Sequence, residues 1–65
     1  MTVATQIQQA IATAKGAQAS FETFAQQTKD EAVKQMYADA AGQLQAVIEG
    51  LEKRMEQIRQ EEPQY

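Results

Sequence analysis

Apolar and small residues recur at Val3, Ile7, Ala10, Ala14, Ala17, Phe21, Phe24 and Thr28, in alternating steps of four and three. That spacing lines one face of a helix, and sustained over this length it forms a heptad seam. A second run follows at Val33, Tyr37, Ala40, Leu44, Val47, Leu51, Met55 and Ile58. Strand-type alternation fails in both halves, because residues two apart repeatedly place an apolar side chain and a Gln, Glu or Lys on the same face. The pattern predicts an all-α chain of two long helices, folded as an antiparallel hairpin. Its core is assigned to Val3, Ile7, Phe21, Phe24, Tyr37, Leu44, Val47, Leu51 and Ile58.

The break between the runs lies at Gln26 to Glu31. Thr28-Lys29-Asp30-Glu31 matches a capping box, in which the Thr28 hydroxyl accepts from the backbone of Glu31 and the Glu31 carboxylate reaches back to Thr28. Asp30 is the alternative N-cap. Either way the connection is short, and short helix-to-helix connections make antiparallel neighbours. The expected organisation of 1–65 is a single hairpin domain: helix one at about 2–27, a turn at 28–30, helix two at 31–62 and a tail at 63–65. Pro63 stops the second helix because it lacks an N–H and disfavours helical geometry in the residue before it. Folding about Lys29 brings Gly16 level with Gly42, which predicts a close approach of the two backbones there.

Two helices cannot enclose a core. Each buries one stripe against the other, and a long apolar flank stays in water. A second hairpin packed about a two-fold axis completes a four-helix bundle, so a homodimer is expected. Residues beside the seams, Ile11, Ala25, Met36, Ala41, Ile48 and Met55, are assigned to the layer between subunits. Helix one carries only Lys15 and Glu22 as charges between Thr2 and Thr28, so its neutral surface is a candidate for a further protein contact.

Composition narrows the rest. With 65 residues, no Cys and no His, the chain has neither disulfides nor a conventional zinc site to hold it together. Lys and Arg number 6 against 9 Asp and Glu, for a formal net charge of −3. That sign opposes nucleic-acid binding, and the densest basic point, Lys53-Arg54, is flanked by Glu52 and Glu56. Mean hydropathy of −0.56 is too polar for direct membrane insertion. The start lacks a basic and then apolar leader, so cytoplasmic residence is expected.

No catalytic constellation can be assembled. The Ser and Thr hydroxyls have no His to activate them. Glu49, Glu52 and Glu56 share a helical face, but carboxylate-bridged metal centres in bundles also draw on Glu-x-x-His motifs. The expectation is a non-enzymatic protein without cofactor or metal, acting as a structural or adaptor component. A rival reading is a carrier that holds a small ligand between helices near Phe21, Phe24 and Tyr37.

Particular strings add a setting. Lys15-Gly16-Ala17-Gln18-Ala19-Ser20-Phe21-Glu22-Thr23-Phe24-Ala25, then Met36-Tyr37 with Ala40-Ala41, and the closing Glu61-Glu62-Pro63-Gln64-Tyr65 resemble a small domain-of-unknown-function family of endospore-forming bacteria. Members look like acidic proteins of this length, often encoded near the spore dipicolinate-channel genes, and a related domain occurs attached to a membrane protein. The resemblance implies a role in sporulation or spore resistance. It also implies a forespore or spore inner-membrane setting and a spore membrane protein as a partner beside the chain itself. It carries no catalytic residues. This chain stops at Tyr65, where relatives are expected to run on for a few residues.

Overall fold

The computed structural model describes residues 2–61, and it consists of two helices packed against each other as a hairpin. Helix α1 spans Val3–Gln27 and helix α2 spans Glu31–Glu61. Ala and Gln dominate α1, and α2 adds Glu, Lys and Leu, all residues that lose little freedom in a helix, and no run of β-branched residues interrupts them. The Cα positions fit a rod of 54 × 17 × 12 Å, two helices wide and one deep. Pro63 and the 63–65 tail, like the expected last helical residue Glu62, lie outside the described residues.

Thr2 starts α1: its hydroxyl accepts from the Thr5 backbone N–H at 3.1 Å. The turn is made without glycine and without any positive φ. Thr28 ends α1 in extended geometry and donates its N–H to the Phe24 carbonyl at 3.0 Å. Its hydroxyl then accepts from Asp30 N–H at 3.2 Å. The Asp30 carboxylate accepts from the N–H groups of Ala32 and Val33 at 2.9 and 3.1 Å. Asp30 is therefore the N-cap of α2, and the Thr28–Glu31 capping box does not form. A box needs its Glu three residues into the helix, and with Asp30 as cap Glu31 is the first helical residue. Glu31 still sets a negative charge in the first turn, where the helix dipole favours it.

The seam runs one residue beside the expected register. Ala41, Ile48, Met55 and Ile58 are the buried residues of α2, with Ile48 only 2% exposed. On α1 the half-buried positions include Ala4, Ile7, Ile11, Ala14, Ala17, Gln18, Phe21 and Ala25, and the cap residue Thr28 is half-buried as well. Ala41, Ile48 and Met55, expected between subunits, thus pack inside one hairpin, and Ile11 and Ala25 are half-buried beside them. Of that expected layer only Met36 faces outward, 68% exposed. Conversely, Val3, Phe24 and Val47, expected in the core, are 61%, 44% and 52% exposed. Ile7, Phe21, Tyr37, Leu44, Leu51 and Ile58 lie where the two registers overlap, and are half-buried or buried. The physical reason is steric: the stripe on each helix is wider than a two-helix contact can cover, and the large aliphatics Ile11, Ile48 and Met55 take the interior.

Gly16 and Gly42 do not mark a close approach. A Cβ built at either would meet nothing within 4 Å. Both are exposed, and the seam beside them is filled by side chains of ordinary size.

Candidate interaction surface

Rotation of the seam leaves the hairpin with two unlike flanks. Residues seven apart return to nearly the same face of a helix, so each flank can be followed in steps of seven. On one side α1 carries Gln8, Lys15 and Glu22, and α2 carries Gln45, Glu52 and Arg59. Lys15 Nζ lies 3.3 Å from the Glu52 carboxylate, an ion pair that bridges the helices on this side. Gln18 donates its amide to the Gln45 side-chain oxygen at 2.7 Å, and Gln45 in turn donates to Glu49 at 3.0 Å. A shallow hollow further along is lined by Gln8, Ile11, Glu52, Met55, Glu56 and Arg59. This is the polar flank.

The opposite side is apolar. Here α1 presents Val3, Ala10, Ala17 and Phe24, while α2 presents Val33, Ala40 and Val47. Met36 extends this surface outward. At the turn end Tyr37 bridges the helices, stacked on Phe21 at 5.9 Å between centroids and tilted against Phe24 at 5.6 Å. Beside these rings is an open hollow of about 250 Å³ lined by Phe24, Gln27, Thr28, Val33 and Tyr37. It is smaller than the usual range of about 300–1,000 Å³ for ligand pockets and open to solvent, so among the described residues this level offers no enclosed cavity. On α2 the flank becomes charged only towards its far end, at Arg54 and Glu61, which lie 3.7 Å apart.

Glu52 pairs across the hairpin with Lys15, and Glu49 and Glu56 accept from Gln45 and Gln60. Among the described residues no three of the metal-binding residue types gather closely enough to hold an ion. Nor is any helix there long and apolar enough to cross a membrane.

Gln18 is the residue that pattern reading missed. It is uncharged and flanked by alanines, yet it is half-buried in the seam, within reach of the Ala41 carbonyl at 3.5 Å as well as Gln45. These contacts tie α1 to α2 at the edge of the seam. A signal was present in the sequence. Lys15 and Glu22 are seven apart and mark one face of α1 as solvated, which leaves the apolar row on the far side of the seam.

Fold and surface together define a class: an antiparallel two-helix hairpin with one polar flank, one apolar flank and a narrow core between them. Within that class, the chain belongs to the family described as protein of unknown function DUF1657, whose model matches residues 7–55. The matched stretch takes in the turn and most of both helices. No curated protein and no solved structure matches the chain.

Proposed function

We propose that this protein works without catalysis, as a structural or adaptor component whose hairpins pair into a four-helix bundle. The carrying observation is the apolar flank, on which Val3 and Val47 remain more than half exposed while only Ala41, Ile48, Met55 and Ile58 are buried among the described residues. A core of that size yields at most a few kcal/mol, and chains below about 70–80 residues usually add a disulfide, a metal or self-association. This chain has no Cys or His, and self-association is the means its surface supports.

Sedimentation equilibrium at micromolar concentration tests the reading. Two chains per particle are expected; a folded, stable monomer across that range overturns it.

The family resemblance supplies the setting, sporulation or spore resistance. Counts of heat-resistant spores in a strain lacking the chain test it, and unchanged counts would remove it. In that setting the outer face of α1, with Gln6, Thr13, Ser20 and Gln27 exposed and uncharged, is left for a second protein, such as the spore membrane partner the resemblance implies. A probe of this face should avoid Gln18, since a charge there would disturb the hairpin itself.

A further inference from the structure

We infer that the apolar flank is the seat of a second copy of this chain, docked face to face about a two-fold axis. The inference rests on the self-assembly reading above and adds to it the surface and the symmetry. Three independent observations select the occupant.

The first is area. The chain exposes 4948 Å². A compact monomer of 7.2 kDa exposes about 4,100 Å² by the usual mass scaling. The excess of roughly 800 Å² is what one partner contributes to a stable interface of standard size. The excess comes from the rod shape of two helices, 54 × 17 × 12 Å, and a second hairpin laid along the rod is the partner whose length matches it.

The second is charge. At a formal −3, two copies repel wherever their acidic residues would face each other. Docking through the polar flank would trap Lys15, Glu22, Glu52 and Arg59 between subunits, with a desolvation penalty on each. The apolar flank carries no charge from Val3 to Phe24 on α1 or from Val33 to Val47 on α2. Where charge does return, Arg54 and Glu61 stand side by side with opposite signs. The two charges offset each other within one chain, so this end adds little net charge to the flank.

The third is shape. Ala10, Ala17 and Ala40 form a low strip along the middle of the flank, and the larger Val3, Phe24 and Val47 stand around it. Small residues in the centre let two hairpins approach closely, while larger ones fill the spaces between them. An isologous contact places this same surface on both sides.

The absence of cysteine makes the test direct. Single substitutions Ala10→Cys, Ala17→Cys, Ala40→Cys and Val47→Cys are compared with Gln8→Cys on the polar flank and Gln9→Cys on the outer face of α1, under mild oxidation of the full chain at low micromolar concentration. At least one flank position is expected to give disulfide-linked dimers with native helicity, and the other two none. Sedimentation of Ala17→Glu and Gln8→Glu is run alongside. The dimer dissociation constant is expected to rise by about 100-fold or more for Ala17→Glu, because a charge is buried without a partner, and to stay within a few-fold for Gln8→Glu. Two outcomes separate the levels of the argument. If the wild type is dimeric but links only through Gln8→Cys or Gln9→Cys, the flank is wrong and self-assembly stands. If the wild type is a stable monomer and no position links, both fall. Should Ala17→Glu fail to fold at all, the cysteine series, which changes little bulk or charge, still decides.

Discussion

The two flanks of this hairpin are built on the same pair of helices and differ by less than half a turn of each, yet they have opposite physical characters. The polar flank is closed from within: Lys15 reaches Glu52, and Gln18, Gln45 and Glu49 form a chain of hydrogen bonds. These groups pair with one another inside a single molecule. The apolar flank has nothing comparable, since its side chains can gain only from excluding water, and one hairpin leaves Val3, Ala10, Phe24 and Val47 exposed and Ala17 and Ala40 half-covered. The lesson is that a narrow core with a finished side and an unfinished side reads as half of an assembly.

Adjacent residues on α2 give the largest contrast. Ile48 is in the seam and Val47 on the flank, so Ile48→Asp should abolish helical circular dichroism at every protein concentration, because an unpaired carboxylate would replace the most buried side chain. Val47→Asp should instead displace folding to higher protein concentration. If the two variants behave alike, the distinction between seam and flank is lost.

A smaller effect is expected at the turn that holds the flanks in register. Asp30→Ala removes the acceptor for two N–H groups and should lower stability by about 1 kcal/mol in urea unfolding at constant protein concentration. Thr28→Ala removes a single acceptor and should lower it by less. Gly16→Ala and Gly42→Ala lie on neither flank's contact row, and each should raise stability by about 0.5–1 kcal/mol, since a Cβ meets nothing there. Loss of stability at either would restore the idea of a close backbone approach. Least of all should come from Lys15 and Glu52. Their side chains are about half exposed, and a double-mutant cycle is expected to return a coupling of roughly 0.5 kcal/mol or less that fades with added salt. A larger coupling would mean the polar flank is more enclosed than its exposure indicates.

Much of the fold is legible in the residues. Heptad spacing on either side of Thr28 marks two helices, and the short connection marks them as antiparallel. Asp30 was visible as a possible cap, but choosing it over Thr28 needed the geometry of the turn, because both residues offer an oxygen at nearly the same place. The register of the seam was less legible. Rows through Ala10, Ala17 and Phe24 and through Ile11, Gln18 and Ala25 are offset by one residue, and both share Ile7, Ala14, Phe21 and Thr28. Periodicity cannot separate two such rows when the apolar stripe is broad enough to contain both.

The sequence by itself determined that the chain is helical, that it turns once near Asp30 and that its apolar surface exceeds what two helices can bury. These follow from local propensity and from counting, which need no partner in space. Only the tertiary structure decided which part of that surface lies inside. A helix contact has room for two adjacent rows from each side, and side-chain volume settles the competition over which two they are, with Gln18 hydrogen-bonded to Gln45 across a separation of 27 residues. The apolar flank is the row that lost this competition, and that is why it is available to another molecule.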